Sequence, residues 1–107
     1  MPEYSFQSTN TKLNYFTNNS DSKEILFLIH GWTGGWEVWK SVIDNFNNYK
    51  IYAVDLPGHN KSGWLPDYNL NEYYRPILEF IISLGNKDIY LAGHSLGASI
   101  SLQIASK

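Results

Sequence analysis

The sequence predicts an α/β domain: a mostly parallel sheet with helices on both faces. Three observations carry that prediction. Ile25 to Ile29, Ile51 to Val54 and Ile89 to Ala92 are apolar runs without polar alternation, the pattern of parallel strands buried on both sides. Each run opens into a glycine-containing loop, and residues at helical spacing follow each loop. The last run, with Gly93-His94-Ser95-Leu96-Gly97 and the apolar positions to Ala105, reads as strand, sharp turn and helix. The element order is β-β-β-α-β-α-β-α, which implies right-handed crossovers.

Tyr4 to Gln7 is a short strand and Ser8 to Thr11 a polar turn. Lys12 to Thr17 alternates, with Leu13 and Tyr15 on one face and Asn14 and Phe16 on the other. Asn18 to Ser22 is a surface loop. His30-Gly31-Trp32-Thr33-Gly34-Gly35 leaves the first buried strand, and its three glycines point to a close backbone approach. Trp36, Trp39, Ile43 and Phe46 then recur at helical spacing, which predicts a helix from about Trp36 to Asn47. Trp36 and Trp39 read as core or cleft wall rather than a cofactor box. Asp55 to Ser62 is a turn-rich loop after the second buried strand. Asn69 with Glu72 three residues on resembles a helix start, continued by Leu70, Tyr74, Ile77, Ile81 and Leu84. Pro76 lies inside that pattern, so the helix kinks there or begins near it. Gly85 ends it.

The Gly93–Gly97 stretch fits G-x-S-x-G, a turn that lifts a nucleophilic serine out of the backbone. Ser95 must sit at the tip of a tight turn for its hydroxyl to project. Strand and helix backbones pass close together there, so Gly93 and Gly97 must be small. The helix that starts after Ser95 aims its free N–H groups at the same point, which places the Leu96 N–H to hold a developing oxyanion. An ordinary Gly-Ser turn would lack these strand and helix flanks.

Composition narrows the remaining classes. The 107 residues are 43% apolar and 17% charged, enough for one soluble domain with a modest core. The net charge of −2 gives no reason to expect a nucleic-acid partner. The absence of cysteine excludes disulfides, thiolate metal sites and a cysteine nucleophile. The N-terminal residues lack a basic stretch followed by an apolar run, and no apolar run approaches the roughly 20 residues of a membrane span, so a cytoplasmic protein without membrane contact is expected. Three scattered histidines do not make a metal site, and no cofactor is called for. Asn18-Asn19-Ser20 and Asn60-Lys61-Ser62 match the glycosylation sequon, which has no meaning without secretion.

Three motifs therefore stand in order: His30-Gly31-Trp32, Asp55-Leu56-Pro57-Gly58-His59 and Gly93-His94-Ser95-Leu96-Gly97. Together they closely resemble the α/β-hydrolase superfamily over nearly the whole chain. Gly31-Trp32, Glu37-Val38-Trp39 and Asp55-Leu56-Pro57-Gly58 look like the small bacterial carboxylesterases, including the pimeloyl-carrier-protein methyl ester esterases. Where the family has glycine after Pro-Gly-His, this chain has Asn60, which also tolerates positive φ. The resemblance implies that Ser95 attacks the acyl carbonyl of a small-molecule ester and that the N–H groups of Leu96 and Trp32 form the oxyanion hole. It implies that His30 orders the oxyanion loop, with Gly31, Gly93, His94 and Gly97 shaping the site. A serine at the tip, rather than an aspartate, argues against a dehalogenase or epoxide hydrolase.

The family's acid and histidine follow the serine along the chain. Only twelve residues follow Ser95, and none is acidic or histidine. The chain thus reads as residues 1–107 of a truncated α/β-hydrolase fold, the N-terminal portion of a single domain. His94 diverges from Ser95, His59 lies beyond the neighbouring strand, and His30 is the best substitute base, although a structural histidine is the ordinary reading of it. Asp55 reads as a loop-fixing carboxylate. Without a base the chain alone is expected to turn over weakly or not at all. The strand before Ser95 would have a bare edge, open to self-association or to pairing with a missing C-terminal half. Three functions follow as alternatives: a carboxylesterase-type serine hydrolase, a catalytically inactive remnant that self-associates, or an acyltransferase, thioesterase or cofactor-free haloperoxidase. Trp32, Trp36, Trp39 and Trp64 suit either an apolar cleft wall or plain core packing.

Overall fold

The structure is a computed structural model and describes residues 3–65, 70–85 and 88–105. Five strands form one sheet: β1 (Glu3–Gln7), β2 (Lys12–Thr17), β3 (Glu24–Ile29), β4 (Lys50–Val54) and β5 (Asp88–Gly93). A 3-10 turn (Trp36–Trp39) runs into α1 (Lys40–Asn45), α2 (Leu70–Ser83) connects β4 to β5, and α3 (Leu96–Ala105) follows β5. The order across the sheet is β1-β2-β4-β3-β5. β4, β3 and β5 are parallel, and β2 pairs antiparallel with both β1 and β4, so β2 alone runs against the others. The α/β fold class expected from the sequence is the one observed.

Each face of the sheet carries its own core. On one, α2 and α3 bring Tyr73, Ile77, Phe80, Ile100 and Ile104 onto Leu13, Phe27, Ile29 and Val54. Phe80 is the hub, with ring centroids 4.6 Å from Tyr15 and 4.8 Å from Phe6. On the other face, Trp36 and Ile43 cover Phe16, Leu28, Ile51 and Ala53. This division follows from strand alternation, in which odd positions of β2 serve one core and Phe16 the other.

Helix details differ from the sequence expectation. The continuous helix over Trp36 to Asn47 is instead a 3-10 turn followed by the short α1. Trp39 at φ −93°, ψ 6° separates them, and Phe46 at φ −124° ends the second. Tertiary anchoring sets the first turn. The Trp36 N–H donates to Asp55 Oδ1 at 2.8 Å, its ring stacks on Phe16 at 4.8 Å, and its indole N–H donates to Glu3 at 2.9 Å. Anchoring of this kind outweighs the small preference for an α-turn. α2 runs through Pro76 rather than starting there. Tyr73 and Ile77, buried on either side of Pro76, hold the two parts in one helix against the loss of one N–H. Gly85 ends α2 at φ +82°, with its N–H donating to the Ile82 carbonyl at 3.1 Å. The expected cap, Asn69, lies outside the described residues, as does the Glu72 side chain.

Among the described residues β5 pairs with β3 alone, and it is less buried along its length than β3. Among the described residues no helix is long and apolar enough to cross a membrane.

Candidate active site

The register of the parallel strands gathers the three motifs. Ile29, the last residue of β3, lies opposite Val54 on one side and Gly93 on the other. The loops that begin at His30, Asp55 and His94 therefore leave the same end of the sheet together. The chain passes from β3 to β4 on one side, then returns across β3 to β5. Such a reversal opens a crevice at the carboxyl ends of the strands.

Ser95 stands at that crevice, exposed, with φ +58°. Few non-glycine residues adopt this left-handed conformation. The turn is held by Gly97 N–H to His94 C=O at 2.9 Å and Ala98 N–H to Ser95 C=O at 3.0 Å, and His94 N–H donates to Ile29 C=O at 3.2 Å. A Cβ at Gly93 would collide with the Gly97 carbonyl group, and one at Gly97 with the carbonyl oxygens of Ile29 and His30. A Cβ at Gly31 would come within 3.1 Å of the Ser95 Cβ, so the loop after β3 lies directly against the serine. Leu96 is the first residue of α3. Among the described residues, neither the Leu96 N–H nor the Trp32 N–H has a hydrogen-bond acceptor.

The three histidines are placed differently. His30 is fully buried. Its Nε2 accepts from the Leu56 N–H at 2.9 Å, and its Nδ1–H donates to the Gly31 carbonyl at 2.5 Å. A backbone N–H can only donate, so His30 is the neutral tautomer protonated at Nδ1. Burial pushes its pKa below the ordinary value. Both nitrogens serve the loops after β3 and β4, and neither is left to take a proton from Ser95. His59 is buried and donates from Nδ1 to the Pro57 carbonyl at 3.0 Å. His94 is exposed beside Ser95, with its ring against Gly31. Among the described residues no imidazole is hydrogen-bonded to the Ser95 hydroxyl.

Asp55 is a loop-fixing carboxylate. It is fully buried and accepts from the Trp36 N–H, the Asn14 amide at 2.8 Å, the Asn60 amide at 3.0 Å and the Lys61 N–H at 3.3 Å. Glu3, which sequence reasoning missed, joins the same network. It accepts from Lys61 Nζ at 2.8 Å, the Asn14 amide at 2.9 Å and the Trp36 indole. The hydrogen-bonded Lys61 ammonium, with Asn14 and Trp36, holds the Glu3 pKa at about 2. A lone acid in a strand was the available signal, but its partners lie 11 to 58 positions away.

The tryptophans divide between wall and core. Trp32 and Trp64 are 63% and 75% exposed, and with Tyr73, His59 and Asn60 they line a pocket of about 410 Å³. The Trp32 ring meets His59 edge-on at 5.0 Å. Ser95 is not among the lining residues, but Gly31, which contacts it, immediately precedes Trp32. Trp36 is core. Trp39 lines a second, apolar pocket of about 310 Å³ beside β5, with Leu26, Val42, Phe46 and Tyr90.

Comparison with known proteins agrees with this geometry. Residues 24–107 match the model of the alpha/beta hydrolase fold family. An epoxide hydrolase 2 of Caenorhabditis elegans is 27% identical over 103 residues, which are 92% of this chain and 29% of that protein. A pimeloyl-[acyl-carrier protein] methyl ester esterase of Edwardsiella ictaluri is 33% identical over 84 residues, 78% of this chain and 31% of that one. The solved Cif epoxide hydrolase of Acinetobacter nosocomialis superposes with a TM-score of 0.84 at 28% identity, covering 98% of this chain and 33% of the other. The chain thus spans about a third of the length of the relatives it matches.

Proposed function

The chain belongs to the alpha/beta hydrolase fold family, and on that premise we propose that it carries the nucleophile part of a serine hydrolase cleaving carboxylic esters. Ser95 Oγ attacks the ester carbonyl carbon. The N–H groups of Leu96 and Trp32 receive the oxyanion, the alcohol departs, and water releases the acid from acyl-Ser95. Removing one oxyanion donor from such a site typically costs about 3–4 kcal/mol of barrier. The observation that carries the reading is Ser95 itself, exposed at φ +58° at the junction of β5 and α3.

Named relatives include both epoxide hydrolases and an esterase. Chemistry favours the second for this chain. Ring opening of an epoxide by a serine would leave an alkyl ether, which water does not cleave, whereas an acyl ester on serine turns over. The aromatic wall of Trp32 and Trp64 would hold the apolar part of the ester. His30 and His59 are buried with their bonded ring nitrogens turned to the backbone, and among the described residues no imidazole is hydrogen-bonded to Ser95, so in this reading the base comes from outside these 107 residues. General-base help is typically worth about 100- to 10,000-fold, and the isolated chain should be slow accordingly.

The test is labelling by a fluorophosphonate at pH 9, beside hydrolysis of p-nitrophenyl butyrate. We expect a slow adduct on Ser95 by peptide mass spectrometry, none in a folded Ser95→Ala variant, and little or no ester turnover. Equal labelling of the two proteins would overturn the reading. Preferred transfer to an added alcohol would move the assignment from hydrolase to acyltransferase. The unpaired outer edge of β5 favours a second reading, a non-catalytic module that self-associates.

A further inference from the structure

The loop from His30 to Gly35 presents the Trp32 N–H, and it is pinned at both ends. At its start, His30 bonds to Gly31 and Leu56. At its end, the Trp36 N–H bonds to Asp55 Oδ1. Asn60 adds something to the second pin. One amide nitrogen, Nδ2, donates to Asp55 Oδ2 at 3.0 Å and to Glu37 Oε1 at 2.9 Å. Glu37 belongs to the 3-10 turn that follows the loop, and Asp55 to the chain after β4. A single side chain therefore ties the two segments together and supplies a donor between two carboxylates. Gly35 makes room for this bridge, since a Cβ there would lie 2.9 Å from both Asn60 Nδ2 and Glu37 Oε1. Asn60 itself sits at φ +48°, where asparagine is tolerated and glycine is free.

We propose that Asn60 is a positioning residue for the oxyanion loop, acting through Asp55 and Glu37 rather than on the substrate. Glycine would supply the same backbone turn without either hydrogen bond. The proposal rests on the reading of Trp32 as an oxyanion donor, but its primary readout does not require Ser95 to react.

The experiment is amide hydrogen exchange by NMR on the 107-residue chain, with Asn60→Gly, Glu37→Ala and the double variant, each also in a Ser95→Ala background. A residue needed only for the turn predicts that Asn60→Gly melts no lower than wild type and leaves exchange at Gly34, Gly35 and Trp36 unchanged. A positioning residue predicts the same melting behaviour with exchange at the Trp36 amide about tenfold faster. Glu37→Ala should speed the same amides, and the double variant should add little to either single change, because both remove one bridge. Unchanged exchange in Asn60→Gly, or full additivity with Glu37→Ala, would overturn the proposal. Should Asn60→Gly melt early, exposed Glu37 still breaks one limb alone, and unchanged local exchange in Glu37→Ala would overturn it equally. Faster exchange without fluorophosphonate labelling of Ser95 would leave the brace standing and remove the hydrolase reading. Labelling with unchanged exchange would do the reverse.

Discussion

Ser95 is held in a conformation that serine does not choose for itself. A non-glycine residue kept in the left-handed region costs of order 1–3 kcal/mol, and it persists only where its surroundings over-determine it. Here the surroundings are the Gly93–Gly97 contact and the hydrogen bonds of the first turn of α3. Replacing Ser95 with glycine should therefore stabilise the fold by about 1 kcal/mol, a rise of roughly 4–8 °C in melting temperature for a domain of this size. Ser95→Ala keeps the Cβ and the strain, and should melt with wild type. Identical melting of the glycine and alanine variants would show that the turn is relaxed. This residue and its two glycines were legible in the sequence because the demands on them are local and steric. Trp32 and Trp64 were not separable from Trp36, because a tryptophan in a wall and one in a core present the same letter, and only tertiary packing decides exposure.

Among elements, β1 carries the least expected role. Its bounds were legible within one residue, but the function of Glu3 as a tie between β1, Asn14, Trp36 and Lys61 was not. The long helix expected from Trp36 failed for the same reason, since distant partners rather than periodicity fix its first turn. The order of strands and helices was legible because parallel strands and amphipathic helices differ in period. The Glu3 network makes a pH prediction. The folded pKa of Glu3, at about 2, lies below the ordinary value of 4.5. Such a group favours the folded state above the ordinary value, and its contribution is lost as pH falls from about 4.5 toward about 2. Glu3 and Lys61 are partly exposed, so solvent discounts the size of the effect. Urea midpoints measured at steps from pH 6 to pH 2.5 should fall more steeply for wild type than for Glu3→Gln. Parallel curves would show that the network carries no pH-dependent stability.

At the scale of the molecule, the unsolved surface is β5. Its inner side pairs with β3 through six residues, and its outer backbone groups face away from the sheet. Tyr90 is 51% exposed on this strand, and the apolar pocket of Trp39, Phe46 and Tyr90 opens beside it. An edge of this length with apolar neighbours is a template for another strand. The same edge serves both functional readings. In the hydrolase reading it meets further chain that brings the base toward Ser95, and in the module reading it meets a second copy. Sedimentation velocity of the 107-residue chain over a hundredfold range of concentration separates them. Self-association through β5 predicts a mass that rises with concentration in wild type and stays monomeric in Tyr90→Lys, because a charge on an edge strand blocks flat pairing. In a second copy His30 and His59 are buried as well, which leaves the exposed His94 as its one accessible imidazole among the described residues, so ester turnover that rises with association and is lost in His94→Ala would show a base supplied in trans. Monomer at every concentration would remove the module reading and leave the edge to further chain. Association that survives Tyr90→Lys would move the interface away from β5, toward the exposed Ile82 and Leu102 on α2 and α3.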